Sequence, residues 1–257
     1  MSIAEIIEPI TQPVEPQFDD GPAPHKIGLI ALSTDMVSER DFSLMLPKND
    51  EVMYYTSRVH HYCPVTVENL RRMGPQLAEA TGQILPTTPL NVVAFSCTSG
   101  TVSIGYEEVV AQIQKGRPDI QVVTPITAAL AAFEKLGIKR ISLMTPYTDD
   151  VNKTMVAYIE QNGIEILNVA GFCQEDDQMM ARLAPQRIHD AVQEIAHPDA
   201  DAVFVSCTGI RTAEIIDQAE QTLGKPVLCS NQCMFWQSLR LSGYDKPVDG
   251  FGQLLRL

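Results

Sequence analysis

The chain has 257 residues, 45% of them hydrophobic, and a formal net charge of −13. That length and composition allow one large or two small domains with a sizeable core. So acidic a chain is a poor partner for nucleic acid or an anionic membrane surface, and no apolar run approaches the roughly 18 residues needed to cross a bilayer. The start, Met1 to Ile10, carries Glu5 and Glu8 and lacks the basic-then-apolar order of an export signal, so the cytoplasm is the expected location. In that setting the six cysteines read as reduced thiols rather than disulfides. Only Cys229 and Cys233 are closely spaced, with no histidine near either, so no metal is expected.

Residues 1–25 form an acidic, proline-rich tail, with Pro9, Pro13, Pro16, Pro22 and Pro24 opposing regular structure. Ile27 to Leu32 has the pattern of a buried strand and runs into Ser33-Thr34-Asp35. Asp41 to Leu46 reads as a short helical piece or loop, Val52 to Val59 as a strand, and His60 to Pro64 as a loop. Thr66 is placed to cap a helix whose apolar residues, Val67, Leu70, Met73 and Leu77, keep a helical period up to Ala80. Leu90 to Phe95 is a strand that stops at Ser96-Cys97-Thr98-Ser99-Gly100, and Tyr106 to Gln114 is a helix. Gln121 to Thr124 is the next strand, Pro125 opens a turn, and Thr127 caps a helix to Leu136 with Gly137 beyond it.

The same order then restarts. Ile141 to Asp149 matches Ile27 to Asp35 at an offset of 114, from 27 to 141. A helix from Asp149 to Asn162, a strand from Ile164 to Val169, and helices over Asp177–Leu183 and Pro185–Ala196 follow. The second cysteine strand, Ala202 to Val205, leads into Ser206-Cys207-Thr208-Gly209 at an offset of 110, from 97 to 207, with a helix over Thr212–Thr222. Pro226 to Cys229 matches Gln121 to Thr124, and Gln232 to Leu241 matches the helix from Thr127. Recurrence of landmarks in one order indicates an internal duplication. The expected fold is α/β: two similar domains related by a pseudo-two-fold axis, each a mainly parallel four-stranded sheet flanked by helices, with the active site in the cleft between them. One half is expected to comprise 26–125 plus 233–257 and the other 126–232, because the linking and C-terminal helices can each cross to the opposite half.

The duplication gives the cysteines their interest. A single buried cysteine at a strand end is ordinarily core. Cys97 and Cys207 occupy equivalent strand ends, the edge where open α/β sheets bind ligands, and each is read as lying near a helix N-terminus that favours a thiolate. Two facing thiols can act as base or nucleophile and as proton donor. Thr98 and Ser99, with Thr208 and Gly209 in the second half, supply N–H and hydroxyl donors for a carboxylate or enediolate, and they equally suit helix capping. Asp35 and Asp149 end the first strand of each half or sit just beyond it, placed to contact substrate or a thiol or, as suits Asp149, to cap the following segment; Tyr147 lies on the same turn as Asp149, its phenol able to bond a carboxylate. Cys63, Cys173, Cys229 and Cys233 read as structural, with Cys173 on a loop able to line the cleft. His60 and His61 read as a loop pair with a surface or subunit-contact role.

These motifs in a duplicated α/β chain, with Thr145-Pro146-Tyr147 and Asn231-Gln232, resemble the aspartate/glutamate racemase superfamily. Within it they are most similar to the branch of maleate cis–trans isomerases and arylmalonate decarboxylases, and there to its ectoine-utilisation members. The resemblance spans Lys26 to Gly243 and implies an enzyme needing neither cofactor nor metal. It implies Cys97 and Cys207 as catalytic residues, and substrate contacts from Ser33, Thr34, Asp35, Thr98, Ser99, Tyr147, Asp177, Thr208 and Gly209. The implied reaction is isomerisation of a small (di)carboxylate, by thiolate addition to a double bond or by racemase-like proton transfer. The alternatives are a related decarboxylase, or a catalytically silent acid-binding or regulatory protein on the same fold. A homodimer or larger homo-oligomer is implied. The isomerases carry asparagines where this chain has Asp35 and, in the second half, Asp176 or Asp177. A carboxylate there repels a dicarboxylate unless protonated and suits a substrate bearing an ammonium group.

Overall fold

The computed structural model describes residues 14–19 and 21–257; the expectation of an irregular tail falls partly on residues 1–13 and 20, which lie outside the described residues. Val14 to Asp19 form no helix or strand and are exposed. The first half runs β1 (His25–Leu32), α1 (Ser38–Met45), β2 (Val52–Val59), α2 (Val67–Arg71), α3 (Leu77–Gln83), β3 (Val92–Phe95), α4 (Thr98–Ile104), α5 (Tyr106–Gly116), β4 (Gln121–Val123) and α6 (Pro125–Leu136). The second runs β5 (Arg140–Thr145), α7 (Asp149–Gln161), β6 (Glu165–Gly171), α8 (Asp177–Ala181), α9 (Pro185–Ile195), β7 (Ala202–Val205), α10 (Ile216–Leu223), β8 (Val227–Cys229) and α11 (Ser230–Ser242).

Two four-stranded sheets result, ordered β2-β1-β3-β4 and β6-β5-β7-β8, with every pairing parallel. The repeat seen in the sequence is therefore a repeat of topology. In each sheet the connections reverse direction between the first and third strands, and ligands of open α/β sheets bind outside the strand ends at that switch. Cys97 follows β3 and Cys207 follows β7, at the two equivalent switch points. Both strands are fully buried, as parallel strands covered on both faces should be.

The linking helices tie the halves together. α11 packs on β1, β3 and β4 of the first sheet, and Phe235 meets Phe42 of α1 edge to face, ring centroids 4.9 Å apart. α6 reaches the second sheet, where Phe133 stands edge-on to Phe204 of β7 at 5.4 Å. α6 and α11 also pack against each other.

The duplication extends to helix caps. Thr124 caps α6 and exchanges hydrogen bonds with Thr127, and Cys229 caps α11 with Gln232 in the same arrangement. Pro125 is thus the first residue of α6 rather than the opening of a turn, a position where its missing N–H costs nothing. The helix expected from Thr66 to Ala80 is broken. Thr66 does cap it, accepting from the Asn69 N–H at 3.2 Å. Gly74-Pro75 then forces a tight turn before α3, because proline lacks the N–H and clashes with the preceding helical turn. The residues after Cys97, where no helix is expected before Tyr106, form α4; Gly105, at φ +97°, separates it from α5.

Candidate active site

Cys97 is the N-cap of α4, and its Sγ accepts the Gly100 N–H at 3.2 Å. Gly100 is obligatory: a Cβ there would lie 2.6 Å from Cys97 Sγ and 2.7 Å from Met73 Cε. Cys207 is held differently. Its Sγ accepts the Gly209 N–H at 3.2 Å in a turn, and helical structure resumes only with a 3-10 turn at Ala213–Ile215 that leads into α10. The expectation that both cysteines stand at a helix N-terminus is therefore right for Cys97 and wrong for Cys207.

Both thiols line one cavity with Thr34, Asp35, Met36, His61, Thr98, Ser99, Tyr147, Asp177, Thr208 and Gly209. The space left in it is about 30 Å3, room for about two waters, so an acid of four or more carbons must displace lining side chains. Cys97 is 4% and Cys207 7% exposed. Burial pushes the Cys97 thiol far up and the Cys207 thiol up to about 12, overriding the N–H donors. Burial thus opposes the thiolate that a helix N-terminus favours, and the closed cavity favours the neutral thiols. The buried Tyr147 phenol sits between the halves, within hydrogen-bonding reach of Cys207 and Ser99. Its turn is locked by Asn152, which donates to the Tyr147 carbonyl at 3.1 Å and accepts from Thr145 Oγ1 at 2.6 Å.

Several other residues expected at the site reach it in altered roles. Thr98 Oγ1 donates to Ser230 Oγ at 2.9 Å, and Thr208 Oγ1 donates to the Ser96 carbonyl at 3.2 Å, so both hydroxyls stitch the halves together while the residues line the cavity. Asp35 accepts from Val37 N at 2.7 Å, Ser38 N at 2.9 Å and Ser38 Oγ at 2.5 Å, so its carboxylate organises the start of α1. Ser33 stays outside the cavity; its Oγ accepts the His61 N–H at 3.0 Å. Asp177 enters from the second half, where its Oδ2 accepts Thr34 Oγ1 at 2.5 Å. Asp176 is only a cap, accepting from Gln178 N at 2.7 Å. Cys173 is exposed and lies on a shallow groove beside α7 and β6, away from both cysteines.

His61 corrects the reading of the histidine pair. It is 3% exposed and lines the cavity, with Nε2 3.1 Å from Asp177 Oδ2. Burial lowers its pKa, and the Asp177 carboxylate opposes that. His60 stays on the surface against Tyr62.

Asp41 and Asn231 support the second thiol. Asn231 Nδ2 donates to Asp41 Oδ2 at 2.9 Å and to the Thr208 carbonyl at 3.0 Å, beside Cys207. Asp41 is fully buried and pushed up from 3.8 to about 7 by desolvation, against the Asn231 and Arg40 donors. Because the folded state holds this proton more tightly than the unfolded chain, its contribution is full below pH 3.8 and is lost as pH rises through about 7. Three units correspond to about 4 kcal/mol. We expect the stability difference between wild type and Asp41→Asn, measured by denaturant unfolding, to change by about that amount between pH 4 and pH 8. A pH-independent difference would contradict the assignment.

Comparison with known proteins places this architecture. The family model described as arylmalonate decarboxylase matches residues 84–255. The arylmalonate decarboxylase of Bordetella bronchiseptica is 33% identical over 139 residues, covering 51% of this chain and 56% of that protein, so the match spans little more than half of that relative's length. The maleate isomerase of Alcaligenes faecalis is 24% identical over 245 residues, 90% of this chain and 96% of its own. Among solved structures, a mutant of the Nocardia farcinica maleate cis-trans isomerase with a covalently bound succinylcysteine intermediate superposes at a TM-score of 0.83, with 21% identity, over 90% of this chain and 98% of its own. The chain belongs to the arylmalonate decarboxylase family, within the maleate isomerase and arylmalonate decarboxylase branch of the aspartate/glutamate racemase superfamily.

Proposed function

We propose that the protein is a two-cysteine isomerase of a small carboxylate, working without a cofactor and most like the maleate cis–trans isomerases. The observation that carries this reading is that thiols from equivalent strand ends of the two halves line one closed cavity, with Tyr147 beside them. In the addition route a proton leaves Cys97 for a cavity base; His61 and Asp177 are the groups able to take it. The thiolate forms an S–C bond to one alkene carbon, and the π pair moves into the adjacent carboxylate as an enediolate. First-turn N–H groups of α4, which lack intrahelical acceptors, and Ser99 stabilise that charge. Cys207 delivers a proton to the neighbouring carbon and takes it back after rotation about the new single bond. Re-forming the double bond expels Cys97 and gives the trans product. The covalent succinylcysteine of the Nocardia relative has the composition of such a protonated adduct.

The cavity lining supports a refinement of substrate. No lysine or arginine among the described residues lines it, whereas Asp177 and Asp35 do. With both Asp35 oxygens engaged locally, Asp177 faces the substrate, and a carboxylate favours an ammonium or amide donor there over a second carboxylate. An amino-acid derivative, such as an acetylated diaminobutyrate from ectoine breakdown, fits that demand, and its chemistry would be racemase-like proton transfer between the two thiols. Decarboxylation, the activity named for the Bordetella relative, is the third reading, which loss of CO2 from an arylmalonate offered alongside would reveal. The purified protein is incubated in D2O with maleate, aspartate and acetylated diaminobutyrate, followed by NMR and intact mass. Fumarate with a mass adduct at Cys97 supports addition; deuterium at the α-carbon without an adduct supports racemisation. Saturable binding with neither change identifies a silent acid-binding protein and overturns the proposal.

A further inference from the structure

The edge of the cavity holds a set of donors that the proposed isomerisation does not use together. His61 Nε2, Cys63 Sγ and an Asp177 carboxylate oxygen all lie within 4.8 Å of one another. Imidazole, thiolate and carboxylate are the donor types of zinc, which takes them at about 2.0 to 2.3 Å in a tetrahedron. Such a tetrahedron sets donors roughly 3.5 Å apart, so side-chain rotation of about 1 Å closes the set.

Three features prepare it. First, the His61 side chain is 1% exposed, yet neither ring nitrogen makes a hydrogen bond; Nε2 is 3.1 Å from Asp177 Oδ2 but misaligned for one. A buried imidazole nitrogen without a hydrogen-bond partner, close to a carboxylate and within 4.8 Å of a thiol sulfur, is an open ligand position. Second, the two loops are already joined: Val65 N donates to the Glu175 carbonyl at 3.0 Å, and the Asp177 N–H faces the Cys63 thiol. Third, the ligands have outer partners. Thr34 donates to Asp177 at 2.5 Å, and the Ser33 hydroxyl holds the His61 backbone. Sequence spacing could not show this trio, because Asp177 comes from the other half.

We propose that His61, Cys63 and Asp177 form a zinc-class site at the edge of the cavity, and that a divalent metal bound there inhibits the enzyme by withdrawing His61 and Asp177 from the substrate. Cys63 is exposed and outside the cavity lining, so metal reaches it from solvent, and the fourth coordination position is left to water or a substrate carboxylate. The inhibitory part rests on the active-site reading above; the metal site itself does not.

The binding test therefore uses Co2+ as a spectroscopic stand-in for Zn2+, with the full chain and no substrate. One Co2+ per chain with a thiolate-to-cobalt charge-transfer band is expected. Cys63→Ser should abolish the band and weaken binding by at least about 100-fold, beyond what loss of an outer partner costs. His61→Gln should weaken it likewise, while Cys97→Ser should leave it intact. No band in the wild type, a band surviving Cys63→Ser, or one lost in Cys97→Ser would each overturn the site. In turnover, micromolar Zn2+ should inhibit the wild type reversibly, with recovery on chelation, and Cys63→Ser should turn over normally and resist. Zn2+ inhibition of Cys63→Ser equal to that of wild type would refute the inhibitory role. If no substrate is found, the binding result still decides whether the metal site exists.

Discussion

Cys97→Ser and Cys207→Ser are each expected to lower turnover by about 10^3-fold or more, the scale of removing a nucleophile or a positioned proton-transfer group. The expectation follows from geometry. Each thiol is buried, lines the same cavity, and accepts one backbone N–H from its own loop. Serine preserves that hydrogen bond and nearly the same volume, so melting temperature and circular dichroism should hardly change. The two variants should differ in what they accumulate. With Cys97 lost, no adduct can form. With Cys207 lost, the enediolate at Cys97 can take a proton from water but lacks the group that removes it again, so intact mass should show a trapped species in Cys207→Ser alone. Full activity in either variant would remove the two-cysteine mechanism. Equal loss with no adduct in either would favour proton transfer.

Gly100→Ala should damage the site more than any other added methyl beside the two thiols. Its Cβ would meet Cys97 Sγ at 2.6 Å and Met73 Cε at 2.7 Å. Met73 can bend, but the sulfur is held by the cap of α4, so the methyl forces the thiol out of place. Overpacking of this kind costs about 1–3 kcal/mol, or roughly 3–10 °C in Tm for a chain this size. A displacement approaching 1 Å costs about 10^2-fold in turnover. Gly209→Ala is the matched control: its nearest neighbour, Cys207 Sγ, is at 3.5 Å, an ordinary contact. Its Tm should stay within about 2 °C of wild type, the range of substitutions without a named clash. Equal melting temperatures for the two alanine variants would mean that the cap does not hold Cys97 rigidly.

The architecture was legible in the sequence because parallel strands buried on both faces are unbroken apolar runs, and here each run stops at a polar landmark. Val92 to Phe95 and Ala202 to Val205 are of this kind, and their recurrence made two cysteines into one site. α4 was missed because Thr-Ser-Gly-Thr-Val-Ser is a poor helix former; its cap on Cys97 and its packing hold it instead. The break at Gly74-Pro75 was in plain view but was outweighed by the apolar period on either side. His61 left no periodic signal, since its burial depends on Asp177, which the chain brings up only from the other half. The roles of Thr98 and Thr208 were hidden for a related reason: their hydroxyl partners, Ser230 and Ser96, belong to contacts between the halves. A thiol's ionisation is set by burial, which a cysteine's sequence neighbours do not reveal.

The crossing of α6 and α11 limits how this enzyme can move. Each helix is anchored by a phenylalanine on distant parts of the chain, Phe133 on Phe204 and Phe235 on Phe42, and the two helices also seal against each other. A clamshell motion, with the halves swinging apart as rigid jaws, would tear that seam and strip apolar surface from both sheets at once. Substrate is then expected to enter past the exposed Met36 and the short helix α8, which line the cavity. On that account, changes at Met36 or Ala181 should alter how fast acids enter while leaving the distance between the two sulfurs unchanged.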